Sequence, residues 1–176
     1  MGNVRISVVH KPRIICYIQI TTYSVRFDKE FRKANIKDID RLSEIRKRQL
    51  MDEGQNPETD MDENLRSFFM EKMKSGELIE WVAEEDGEIV ATAAIIFMDL
   101  PPAFTNPTGK KGYIANMYTA DEFRGRGLAG RMIELLEKEA KDCGLTKLFL
   151  HASEMGKKAY VKSGFIETDV LMEKSL

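Results

Sequence analysis

Residues 124–131 read RGRGLAGR, a glycine-rich turn carrying three guanidinium groups, set between a strand-like run, GYIANMYTA, and a helical one. A turn of this kind, opening a helix, converges backbone N–H groups on a single point and so favours an anion such as a phosphate. The helix that follows carries Ala129, Met132, Ile133, Leu136, Ala140 and Cys143 on one face, with Gly144 placed to cap it. It therefore packs one apolar stripe against a sheet.

Two phosphate-binding patterns can be laid on the turn. Gly125, Gly127 and Gly130 spell G-x-G-x-x-G, but that fingerprint needs a strand running straight into its first glycine, early in a repeated strand-helix-strand array. Here the charged segment Asp121 to Arg124 intervenes, and too little chain follows for a doubly wound sheet. A nucleotide- or nicotinamide-binding domain is disfavoured on that order. The P-loop fails because no Lys-Ser or Lys-Thr pair follows the last glycine. Taken alone, the glycines are also compatible with a plain turn before a helix.

The rest of the chain is regular from Phe31 onward. FRKANI reads as a strand; Ile39, Leu42, Ile45 and Leu50 recur at helical spacing; Leu65, Phe68, Phe69 and Met73 mark a second helix that stops at Gly76. ELIEWVAEE and EIVATAAIIFM flank Asp86-Gly87, a dipeptide suited to a two-residue hairpin turn, with Trp81 on a sheet face or in the core. The loop MDLPPAFTNPTGKK follows, longer than most and placed to border a site. After the glycine turn and its helix come a strand, TKLFLHA, a short helix, MGKKAYVKS, a sharp turn at Gly164-Phe165 and a final strand, TDVLMEK. The order implies a mixed α/β (α+β) sheet with helices on its faces.

With 176 residues and 20.2 kDa the chain suits one domain, over 28–176, preceded by an extension, 1–27, of uncertain structure. The extension has strand-like runs broken by His10, Lys11, Pro12 and Arg13, no cleavage site, and a composition that an added strand, a dimer arm or a loose extension would share. A homodimer is compatible with it. A net charge of −2 argues against a nucleic-acid partner, and the absence of any apolar run of membrane-spanning length argues against a membrane. Cys16 and Cys143 match no metal or redox spacing, so reduced thiols in the cytoplasm are expected, with Cys143 in the core, and no metal cofactor.

From about Phe31 to the C-terminus the chain resembles the GNAT superfamily of acyl-CoA-dependent N-acetyltransferases, most closely from Tyr113 to Phe165. Arg124, Gly127 and Ala129 fit that family's R/Q-x-x-G-x-G/A turn, and Ala159-Tyr160 followed by Gly164-Phe165 falls at the right distance beyond. The resemblance implies a mostly antiparallel sheet whose fourth and fifth strands splay apart to admit the pantetheine arm of acetyl-CoA. Met117, Tyr118 and Thr119 would pair with that arm through their backbone, the Met117 N–H best placed to polarise the thioester carbonyl. Gly125, Gly127, Leu128, Ala129 and Gly130 would bring N–H groups to the pyrophosphate, with Arg124 or Arg126 adding charge. Arg131, one turn into the helix, reads equally as a solvated arginine.

Tyr160 is implied as the general acid that protonates the departing thiolate, with a buried aromatic as the alternative. Ser153 stands where many relatives carry a cofactor-contacting asparagine; its hydroxyl still donates. Glu80, Asp99, His151 and Glu154 are base candidates by location, and none is singled out. The function implied is acetyl transfer from acetyl-CoA to a primary amine of a small molecule by direct attack, the alternative being a CoA-binding regulatory module without turnover. Residues 51–64 carry Asp52, Glu53, Glu58, Asp60, Asp62 and Glu63 with no basic residue. They would either steer a cationic amine or merely face water.

Overall fold

In a computed structural model that describes residues 30–168 and 174, five strands form one sheet in chain order, β1 (Glu30–Lys33), β2 (Leu78–Glu85), β3 (Glu88–Asp99), β4 (Lys110–Thr119) and β5 (Leu148–Phe149). The first three junctions are antiparallel and the last, β4 with β5, is parallel. Helices α1 (Ile39–Asp52) and α2 (Asp62–Ser75) cover one face, and α3 (Leu128–Asp142) covers the other. A short α4 (Lys157–Lys162) follows β5. The amino-terminal extension and all but the two end residues of the TDVLMEK run lie outside the described residues.

Alternation along the strands decides which core each side chain enters. Ala91, Ala93 and Ile95 of β3 meet Met132, Leu136 and Ala140 of α3, while Ala94 joins Leu42, Ile45 and Phe69 under α1 and α2. The β2–β3 hairpin turns at Asp86 and Gly87, both at positive φ (53° and 81°), as the dipeptide implied. β1 is fastened by Arg32, whose guanidinium grips both carboxylate oxygens of Asp38 at 2.8 Å and reaches Glu84 at 2.6 Å.

Two local expectations are corrected. Cys143 is exposed rather than in the core. α3 ends one residue earlier, Gly144 takes the left-handed cap at φ 72°, and Leu145 N–H returns to the Ala140 carbonyl, so Leu145 fills the apolar position instead. The TKLFLHA run pairs only through Leu148 and Phe149, opposite Gly112 and Tyr113. Gly112 permits even that approach, since a β-carbon there would stand 2.6 Å from the Leu148 side chain. Beyond Tyr113 the strands part, and the β4 edge has no β5 partner.

Candidate active site

The splayed edge is shaped by a bulge. Tyr118 lies opposite Thr92 and Ala115 opposite Ala94, so Asn116 and Met117 together face the single residue Ala93. Asn116 adopts a positive φ of 51°, a conformation an L-residue holds only when its surroundings fix it. Here two buried partners do so. The Thr92 hydroxyl donates to the Asn116 carbonyl at 2.7 Å, and the Asn116 amide donates to Glu80 Oε2 at 3.1 Å. The Met117 side chain, in the bulge, packs with the α3-side core, and that of Tyr118, just past it, with the α1-side core. What β4 offers the space between the strands is therefore mainly backbone.

Burial pushes the Glu80 carboxyl up to about 8, against the pull of the Asn116 amide and the Arg46 guanidinium. From an ordinary value of 4.5 this means that the folded chain holds the proton more tightly than the unfolded chain, so Glu80 subtracts stability as pH rises between about 4.5 and about 8. Glu80→Gln keeps an oxygen for Asn116 and has no proton to lose. Urea unfolding at about pH 5 and about pH 8 is expected to show a smaller loss of stability across that interval in Glu80→Gln than in wild type. Equal losses would exclude Glu80 as the source.

The β4–α3 turn forms the next wall. Gly125 and Gly127 sit at φ 74° and 82°, and a β-carbon at Gly125, Gly127 or Gly130 would meet no protein atom within 4 Å. All three line the same cleft. Leu128 starts α3 with its side chain in the core, followed by Ala129 and Gly130, and the first turn has no side-chain cap. Its leading N–H groups are thus donors without intrahelical acceptors. The arginines of the turn have partners within the protein. Arg124 binds the Thr119 carbonyl at 3.0 Å, Asp52 at 2.9 Å and Asp121 at 2.8 Å. Arg126 donates to the Glu122 carbonyl at 2.7 Å and lies over the Phe123 ring, and Arg131 pairs with Glu134.

α4 supplies the facing wall. Tyr160 is only 7% exposed, its ring edge-on to Phe165 at 5.7 Å. Burial, then the charge of Glu53 and the proximity of Tyr113, pushes its phenol up to about 12, so it keeps its proton throughout the neutral range. Gly156 makes room for it, since a β-carbon there would lie 3.1 Å from the ring. Ser153 also lines the cleft, its hydroxyl accepting the Gly156 N–H at 3.2 Å.

These walls enclose one cleft of about 1320 Å³ that gathers Met117, Tyr118, Thr119, Arg124, Gly125, Gly127, Leu128, Ala129, Gly130, Ser153 and Tyr160. Arg126 is the single expected site residue that does not line it. Of the four base candidates only His151 lines the cleft; Glu80 lies beneath its wall, and Asp99 and Glu154 lie elsewhere. The acidic 51–64 segment contributes only Asp52, Glu53 and Gln55. Asp62 pairs with Lys47, Asp60 caps the Asp62 N–H, and Asp52 is shared by Arg48 and Arg124. Sequence reasoning missed Arg46 and Gln49 of α1, which line the cleft with Glu53; the available signal was a glutamine falling four residues after Ile45 on an otherwise apolar stripe. No helix among the described residues is long and apolar enough to cross a membrane.

A model of the acetyltransferase (GNAT) family matches residues 39–165. A crystal structure of a predicted acetyltransferase with acetyl-CoA from Clostridium acetobutylicum is 48% identical, covering 84% of this chain and 96% of that one, with a TM-score of 0.82. A GCN5-related N-acetyltransferase from Ralstonia eutropha JMP134 is 28% identical, covering 84% and 98%, with a TM-score of 0.79. The glucosamine 6-phosphate N-acetyltransferase of Arabidopsis thaliana is 30% identical over 91 residues, which are 52% of this chain and 59% of that protein. The chain spans about half the length of the curated relatives it matches.

Proposed function

The chain belongs to the acetyltransferase (GNAT) family, and from that premise we propose that it transfers the acetyl group of acetyl-CoA to a primary amine of a small molecule by direct attack. One observation carries the reading. A strand edge without a partner among the described residues, uncapped N–H groups opening α3, and a protonated tyrosine all face the same cleft.

Each wall has a task in that chemistry. The β4 edge past Tyr113 supplies backbone N–H and C=O groups to an extended pantetheine arm, in the manner of an added strand. The leading α3 amides, reached through the open space at Gly125, Gly127 and Gly130, suit the pyrophosphate. The amine lone pair attacks the thioester carbonyl, a C–N bond forms, and negative charge gathers on the carbonyl oxygen, for which the Met117 N–H at the bulge is the assigned donor. Collapse breaks the C–S bond, the sulfur takes the Tyr160 proton, and the amine nitrogen sheds its extra proton to solvent or to a base in the cleft. The 48% identical relative, a predicted acetyltransferase with acetyl-CoA, supports the choice of donor, and a relative acting on glucosamine 6-phosphate supports a small amine.

The test is a calorimetric titration of the full chain with acetyl-CoA, NAD and ATP, followed by detection of free CoA thiol over a panel of amines. Saturable binding of acetyl-CoA alone, with thiol release that depends on amine, is the expected result. Binding without thiol release for any amine would mark a CoA-binding module instead, and no binding would remove acetyl-CoA from the account.

A further inference from the structure

Arg46 and Gln49 of α1 and Glu53, the residue that caps its carboxyl end, lie one or two turns apart, line the cleft and are joined end to end. Arg46 Nη1 donates to Gln49 Oε1 at 3.1 Å, and Gln49 Nε2 donates to Glu53 Oε1 at 3.0 Å. Gln49 is buried and so held in one orientation, with a cation bound at its oxygen and a carboxylate at its nitrogen. From these contacts we infer that the cleft takes an acceptor of two charges, with its amine at Glu53 and an anionic group, carboxylate or phosphate, at Arg46.

The two ends differ from the charges around them on α1. Arg41 pairs with Glu44, Lys47 with Asp62 and Arg48 with Asp52, whereas Arg46 makes no ion pair among the described residues and uses one of its five N–H donors on Gln49. Glu80 feels the Arg46 charge, and burial keeps that carboxyl mainly neutral below about pH 8, so the guanidinium is not neutralised from beneath. A half-buried guanidinium with a free planar fork is matched to carboxylate or phosphate. At the other end, Glu53 makes no ion pair among the described residues, and its charge is felt by Tyr160. An amine resting on Glu53 therefore lies on the Tyr160 side of the cleft, where the thioester sulfur must come. A single carboxamide separates the two charges, which limits the acceptor to an amine with its anion a few bonds away.

This assignment rests on the acetyl-transfer reading above for its chemistry, but not for its binding site. Matched probes separate the two: 2-aminoethyl phosphate against ethanolamine, β-alanine against propylamine, and putrescine as the dication. Wild-type kcat/KM is expected to favour an anionic probe over its neutral match by about tenfold or more, the phosphate and carboxylate pairs telling which anion fits. Arg46→Met is expected to bring that ratio to within about twofold and Arg46→Lys to leave part of it, with acetyl-CoA affinity unchanged in both. Glu53→Gln, at an exposed position, is expected to raise KM for every amine. A neutral amine or putrescine outranking both anionic probes, or a ratio that survives Arg46→Met, would overturn the inference. If no amine is acetylated, calorimetry of 2-aminoethyl phosphate and β-alanine on the protein alone still decides: binding that Arg46→Met abolishes sustains the subsite, and no binding in wild type removes it.

Discussion

Tyr160→Phe is expected to lower kcat by about a hundredfold or more while leaving acetyl-CoA affinity within about twofold of wild type. The phenylalanine keeps the ring that packs on Phe165 and fills the space opened by Gly156, so only the hydroxyl is lost. Because burial and Glu53 hold the phenol near 12, its ionisation lies far above the assay range, and the pH profile between about 6 and 9 should keep its shape in the variant. A near-normal kcat would leave Tyr160 with packing alone. A changed alkaline limb would mean that the phenol titrates in the working range and contradict its assignment as a standing proton donor.

The second large effect is expected at Gly127. Gly127→Val should weaken acetyl-CoA binding about a hundredfold, the scale of one or two charge-assisted hydrogen bonds at roughly 1.5–3 kcal/mol each. Two causes act together there. A side chain at φ 82° is strained by roughly 1–2 kcal/mol, and its atoms would occupy the cleft, since no protein atom lies within 4 Å. Gly87, in the β2–β3 turn at φ 81°, separates them. Gly87→Ala and Gly127→Ala carry similar strain, so both should lose similar stability in urea, but only Gly127→Ala should lose affinity. Affinity retained in a folded Gly127→Val protein would detach the turn from the pyrophosphate.

The parts of this fold legible in the sequence are those whose cause is local. Asp86-Gly87 turns the hairpin with its own backbone preferences, and Gly144 ends α3 through bonds spanning five residues. The α3 stripe needed only its 3.6 period. Cys143 was misplaced by that same periodicity, which does not say where a helix stops.

The site was legible as a set of positions and much less as a set of contacts. Asn116 looks like an ordinary strand residue, and its bulge depends on Thr92 and Glu80, 24 and 36 residues away. Arg124 reads as a free cation beside a phosphate turn, and its partner Asp52 is 72 residues distant. The acidic 51–64 segment reads as a uniform negative field, yet neighbours from α1 and the glycine turn pair with two of its carboxylates, Asp52 and Asp62. In each case a partner brought in by the fold decides what the residue does, and no window of sequence contains both.

The hold of Arg124 on Asp52 also bears on how such a cleft can change its diet of acceptors. One guanidinium ties the carboxyl end of α1 to the turn that opens α3, so residue 52 cannot be altered for the amine's sake without loosening the turn that serves the other substrate. Positions 46, 49 and 53 carry no such tie to that turn. Drift in acceptor preference, whether by natural descent or by laboratory selection, should accordingly accumulate on that row while Asp52 and Arg124 change together or not at all.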